Sequence, residues 1–123
     1  MLCQLDFASS FAQLVGAESY SADSQNLLNV MLGKSKQGRD NLIIEASGRL
    51  AFREGNFIMI PPYKGPVVSK DEGIELGTSS EFQLYDLSKD LAQKNNLAKR
   101  FPQRIEEMKT SMKKIAGNKI KFD

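Results

Sequence analysis

The stretch "GRLAFREGNFIMIPP", Gly48–Pro62, decides the fold, because it reads as two short strands joined by a tight turn. Leu50, Phe52, Ile58 and Ile60 can each bury a side chain, and Arg53-Glu54-Gly55-Asn56 is turn chemistry. Just upstream, "NLIIEAS" places Leu42, Ile43 and Ile44 in an unbroken apolar run, which predicts a strand buried on both faces. Downstream, "EFQLYDL" alternates, with Phe82 and Leu84 on one face and Gln83 and Tyr85 on the other; the expectation is a half-buried strand. Between them the chain from Tyr63 to Ser80 is broken by Gly65, Pro66, Gly73 and Gly77 and reads as a long surface excursion.

The flanks are helical. Pro102 suits a first turn, and Ile105, Met108, Met112 and Ile115 then line one face up to Gly117. Near the start, "CQLDFASSFAQLVGA" predicts a helix capped by Asp6 and stopped by Gly16, with Phe7, Phe11, Leu14 and Val15 at helical spacing. In "DSQNLLNVMLGK" Asp23 or Ser24 can cap a second helix whose apolar face is Leu27, Leu28, Met31 and Leu32. The sum is an α+β fold: a small antiparallel sheet of about four strands packed against a C-terminal amphipathic helix, with helices before it.

The chain of 123 residues carries 17 basic and 15 acidic side chains, a net charge of +2 that gives no ground for a nucleic-acid partner. Lys109, Lys113, Lys114, Lys119 and Lys121 gather near the end, where cations meet a helix dipole favourably. No apolar run approaches the roughly 20 residues of a membrane span, so no membrane partner is expected. With no histidine, the usual general base and commonest metal ligand are missing, and the single cysteine, Cys3, has no histidine to activate it. The acidic pairs Asp71-Glu72 and Glu106-Glu107 read as solvated charge, and "GKSKQGRD" has the wrong spacing for a phosphate loop. No catalytic group and no metal ligand set is expected in this chain.

The ordered series "GRD", "LIIEA", "GRLAFREGNFIMIPP", "EFQLYDLSKDLAQKNNLA" and "FPQRIEEMKTSMKKI" resembles the C-terminal part of the formylglycine-dependent sulfatases, a branch of the alkaline-phosphatase superfamily. Arg53, Gly55, Phe57 and Ile60 match one motif of that family, and Leu84, Tyr85, Asp86, Leu87, Asp90, Asn96 and Leu97 match a second. The family's nucleophile motif, Cys or Ser followed by x-Pro-x-Arg, is met only by "FPQR", with Phe101 where the nucleophile belongs, so this reads as a helix start. The resemblance implies residues 1–40 as a helical link from a catalytic domain and 41–123 as the C-terminal subdomain. It implies a parent that hydrolyses sulfate esters, with calcium and formylglycine in the catalytic domain that this fragment lacks. The fragment itself is then expected to be inactive.

The resemblance also implies partners: the chain's own catalytic domain, a sulfated glycan, and self-association through the first helix while that domain is absent. A periplasmic or secreted parent would suit such a substrate, although the chain itself leaves the compartment open. The loop "EASGR" between the first two strands would approach the substrate, which nominates Glu45, Ser47 and Arg49 as contacts: Arg49 for an anionic substituent, Glu45 or Ser47 for a hydroxyl. The competing expectation is a free-standing interaction or carbohydrate-binding module, although the chain has no tryptophan and its three tyrosines are scattered.

Overall fold

The computed structural model describes residues 1–19, 21–46, 48–117, 120 and 122. The chain divides into two compact units, Met1–Asn41 and Leu42–Asp123.

The second unit is built on the hairpin. Strand β2 (Arg49–Glu54) pairs antiparallel with β3 (Phe57–Ile60), Phe52 opposite Met59 and Glu54 opposite Phe57. This register leaves Gly55-Asn56 as a two-residue loop. Gly55 holds φ at 59°, the left-handed value a II′ loop asks of its first central residue. β3 pairs in turn with β4 (Gln83–Asp86), and β1 (Asn41–Ala46) completes a sheet of order β1-β2-β3-β4.

Alternation along the pleat puts Phe52, Met59 and Leu84 on one face, where they meet Ile105, Met108 and Met112 of helix α3 (Pro102–Ala116). Of these six, all but Ile105 are completely inaccessible, and three are methionines, whose unbranched side chains fill the uneven space between helix and sheet. Pro102 opens α3 and Lys113 and Lys114 sit in its last turn, as the helix dipole favours. Ile115, expected on the buried stripe, is 50% exposed. Half-buried Ala116, one residue on, holds the stripe's place in the last turn. After the helix, Phe122 packs edge-on against Phe82, with Lys109 and Lys113 over its ring.

Two strand expectations are corrected together. β1, expected to be buried on both faces, is the sheet's terminal strand with β2 as its one neighbour, and Ile44 is 41% exposed. β4, expected to be half-buried, has Gln83, Leu84 and Tyr85 all buried, so both its faces are covered.

β4 is also terminal, but its free edge is sealed. The Asn96 Oδ1 accepts from the Leu84 N–H at 3.1 Å and from the Ala98 N–H at 2.9 Å, while its Nδ2 donates to the Phe82 carbonyl. The Leu97 N–H then donates to the Leu84 carbonyl at 2.8 Å. The turn that brings Asn96 there is set by two carboxylates. Asp86 accepts from the Ser88 hydroxyl and N–H, and Asp90 accepts from the N–H groups of Asn95 and Lys94. Those bonds hold both carboxyls below the ordinary aspartate range.

In the first unit a 3-10 turn (Gln4–Asp6) leads into α1 (Phe7–Val15), which Gly16 ends in the left-handed conformation at φ 70°. Asp6 does not cap α1 as expected: its backbone is already helical and its side chain makes no capping bond there. The fully buried carboxylate instead accepts from the N–H groups of Cys3 and Gln25, each at 3.1 Å, and from Arg39 Nε at 2.6 Å. Burial pushes this carboxyl up, and the three sets of hydrogen bonds outweigh it, so its pKa lies below the ordinary value. Arg39 also donates to the Asp23 carbonyl, and its N–H bonds the Met1 carbonyl at 2.7 Å. Met1 comes so close that a Cβ on Gly38 would clash with that oxygen, so glycine suits the position.

The second helix is a single turn, α2 (Leu28–Met31). Neither Asp23 nor Ser24 caps it; the Ser24 hydroxyl accepts from the Ser9 N–H, and Asn26 Oδ1 accepts from the Leu28 N–H. Along α1, the Phe7 and Phe11 rings pair at 5.4 Å, and Leu14 and Val15 are 59% and 75% exposed.

Asn96→Ala should lower stability by about 1–3 kcal/mol, the cost of leaving the Leu84 N–H without a partner, read as a shifted urea midpoint with unchanged slope. Acid should weaken the first unit in a definite direction. Because the folded Asp6 carboxyl is depressed, its contribution is full above the unfolded pKa of about 3.9 and disappears as pH falls through the lower folded value. In Asp6→Asn, the Cys3, Gln25 and Arg39 amide and guanidinium resonances should lose the acid transition they show in the parent chain.

Candidate functional site

The second unit carries a cleft of about 910 Å³ between one end of the sheet and the 63–77 segment. This lies within the range of roughly 300–1,000 Å³ typical of small-ligand sites. The sheet supplies an apolar wall of Ile44, Leu50, Ala51 and Ile60, which continues through Pro61 and Pro62. The polar wall comes from Arg49 and from Tyr63, Lys64, Ser69, Glu72 and Glu75.

The polar wall is an ordered loop. Val68 and Glu75 form an antiparallel bridge, the Leu76 N–H donates to the Val67 carbonyl at 2.7 Å, and the Ser69 N–H to the Ile74 carbonyl at 2.8 Å. The sequence "VVSKDEGIEL", Val67–Leu76, is thus a small hairpin turning at Asp71-Glu72-Gly73. Apolar residues on either side of a turn cluster carry that hairpin in the sequence, so the segment is not the irregular excursion expected.

Two bonds fasten the loop to the sheet and a third closes the loop's own base. Arg49 Nη1 donates to the Leu76 carbonyl at 3.0 Å, Gln83 Nε2 to the Gly77 carbonyl at 2.8 Å, and the Tyr63 N–H to the Ser79 carbonyl at 2.8 Å. The Arg49 guanidinium lies 4.5 Å from the centre of the Tyr63 ring, a cation–π distance. Its Nε is buried and has no hydrogen-bond partner among the described residues. Gln83 is itself held, because its Oε1 accepts from the Tyr85 hydroxyl at 2.6 Å. Burial, with the charges of Asp90 and Glu75, raises the Tyr85 pKa and keeps that hydroxyl a donor.

Of the three nominated residues, Arg49 lines the cleft. Glu45 is exposed on β1, where its Oε1 accepts from the Gly48 N–H at 2.6 Å, closing the β1–β2 connection. Ser47 lies outside the described residues. The other acidic pairs are occupied locally: Glu72 bonds the Ser69 hydroxyl, Glu106 pairs with Lys109 and Glu107 with Arg104. Arg104, the arginine of "FPQR", also pairs with Glu54 at 2.9 Å, so it ties α3 to β2. The Cys3 thiol, half-buried, donates to Asp6 at 3.4 Å.

Among the described residues no group of three or more His, Cys, Asp or Glu side chains could hold a metal ion.

No family model matches the chain. An N-acetylgalactosamine-6-O-sulfatase of Bacteroides thetaiotaomicron is 32% identical over 119 residues, which cover 94% of this chain and 23% of that protein. A solved sulfatase structure superposes with a TM-score of 0.83 at 32% identity, over 89% of this chain and 24% of its own. It is described under the metabolism of multiple glycosaminoglycans by the same organism. The chain is a sulfatase C-terminal subdomain. The subdomain spans about a quarter of the length of the sulfatases it matches. The "LYDL" motif that carries much of the resemblance is strand β4 with its Asp86 turn, and the following Asp90 and Asn96 seal the strand's edge. Its residues are therefore matched for the fold they make.

Proposed function

We propose that the subdomain belongs to a polypeptide that hydrolyses sulfate esters of carbohydrates. It contributes a substrate-facing wall and no catalytic group. The observation that carries this reading is the 32% identity over 119 residues to an N-acetylgalactosamine-6-O-sulfatase. The substrate side is the cleft together with the β1–β2 connection that holds Glu45, Ser47 and Arg49. A formylglycine nucleophile and a calcium ion belong to the catalytic portion of the polypeptide, outside the residues described here. The open apolar face of α1 is the surface offered to that portion.

An aryl sulfate and N-acetylgalactosamine 6-sulfate are the substrates to use. The 123-residue chain should release no sulfate from either, and the long polypeptide that contains it should release sulfate from the sugar ester. Turnover by the short chain that a mutation within it abolishes would overturn the assignment of catalysis elsewhere. Binding of unsulfated glycans as tightly as sulfated ones would favour a free-standing carbohydrate-binding module.

The same reading predicts how the isolated chain behaves. Covering a large apolar side chain is worth about 1.5–3 kcal/mol, so copies should associate through Phe7, Phe11, Leu14 and Val15. Sedimentation equilibrium should show a concentration-dependent mass that falls to the monomer in Phe11→Ser/Leu14→Ser. A monomer at every concentration would argue against this face as a docking surface.

A further inference from the structure

We infer that the cleft reads an anionic sugar through Lys64 and Glu75 on the loop, with Arg49 as the positioning residue that holds the loop in place. The inference rests on the sulfatase reading above and assigns parts within its substrate wall.

Arg49 is the obvious anion contact by charge, but two of its three nitrogens are turned inward and its face is covered. Nη1 is bonded to the Leu76 carbonyl, Nε is buried, and the Tyr63 ring covers the guanidinium. A planar cation held by a ring and a carbonyl acts as a strut: it fixes the distance between β2 and the loop at two points, Tyr63 and Leu76. Lysine cannot reproduce this, because a point charge on a flexible stem neither stacks flat nor presents a fork of donors.

Lys64 and Glu75 differ in kind from Arg49. Both line the cleft, both are exposed, and neither has a hydrogen bond or ion pair among the described residues. Each adjoins a residue that Arg49 holds: Lys64 follows Tyr63, and Glu75 precedes Leu76. The strut therefore sets the spacing of one free cation and one free carboxylate. The same cleft is lined by the apolar residues Ile60, Pro61 and Pro62. A sugar ring has the matching anatomy: a C–H face for the apolar wall, hydroxyls that donate to a carboxylate, and a sulfate or carboxylate for an ammonium.

The test is an NMR titration of the 15N-labelled 123-residue chain with N-acetylgalactosamine 6-sulfate, unsulfated N-acetylgalactosamine and inorganic sulfate. The sulfated sugar should move the amide signals of Lys64, Glu75 and their neighbours, and more tightly than either of the other two probes. Lys64→Ala should weaken that binding roughly tenfold, as expected when a charge-assisted hydrogen bond is lost, and Lys64→Arg should restore it. Arg49→Lys should weaken binding too, but with a signature a ligand contact would not give: without any sugar, the Tyr63 amide should exchange faster with solvent. Binding unchanged in Lys64→Ala, or no shift at the loop in the parent chain, would overturn the inference. So would an Arg49→Lys variant whose loop exchanges as before. The sulfatase reading stands or falls separately, on sulfate release by the long polypeptide.

Discussion

A single amide side chain closes the β4 edge of the sheet. Strand β4 is the last of four, and an unpaired edge exposes N–H and C=O groups to any other strand. Asn96 meets that edge as both acceptor and donor, and the Leu97 N–H adds a further bond. With the edge sealed, Leu84 can sit fully buried beneath α3 and Tyr85 can be buried on the opposite face. Tyr85 then orients Gln83, and Gln83 holds the loop that walls the cleft. The path from Asn96 to the cleft runs through four bonded or packed neighbours, so the edge and the site share one support.

Much of this architecture could be read in the chain, and the parts that could not share a cause. The hairpin was legible because Gly55-Asn56 is strong local chemistry and the flanking alternation is clean. Helix α3 was legible because Pro102 and the Ile105-Met108-Met112 spacing are local too. What local pattern could not reveal was strand position. An unbroken apolar run in β1 promised an interior strand, and an alternating one in β4 promised a half-exposed strand; the structure reverses both. Burial of β4 comes from α3 over Leu84, from the Tyr63–Ser79 loop bonded to Gln83 and from the Asn96 seal, none of which the alternation of the strand itself records.

Asp6 shows the same limit from the other side. A residue well placed to cap α1 is drawn away by Arg39, which is distant in sequence and close in space. At the site, the charge of Arg49 was visible and its commitment was not, because Tyr63 and Leu76 become its neighbours only after the loop folds back. Lys64 and Glu75 are silent in the sequence for a plainer reason: isolated charges in a segment without periodicity carry no pattern.

The makeup of the core gives the second unit a built-in record of its own opening. Met59, Met108 and Met112 meet between sheet and helix, and none exposes any surface. A thioether becomes a polar, chiral sulfoxide on oxidation, and a core cannot take that change without losing its packing. While α3 lies on the sheet, an oxidant in solution cannot reach these sulfurs. Each sulfoxide found on them would therefore mark an excursion in which helix and sheet had parted, and the modified chain would be unable to close again. Mild peroxide would act on this protein as a one-way counter of such excursions.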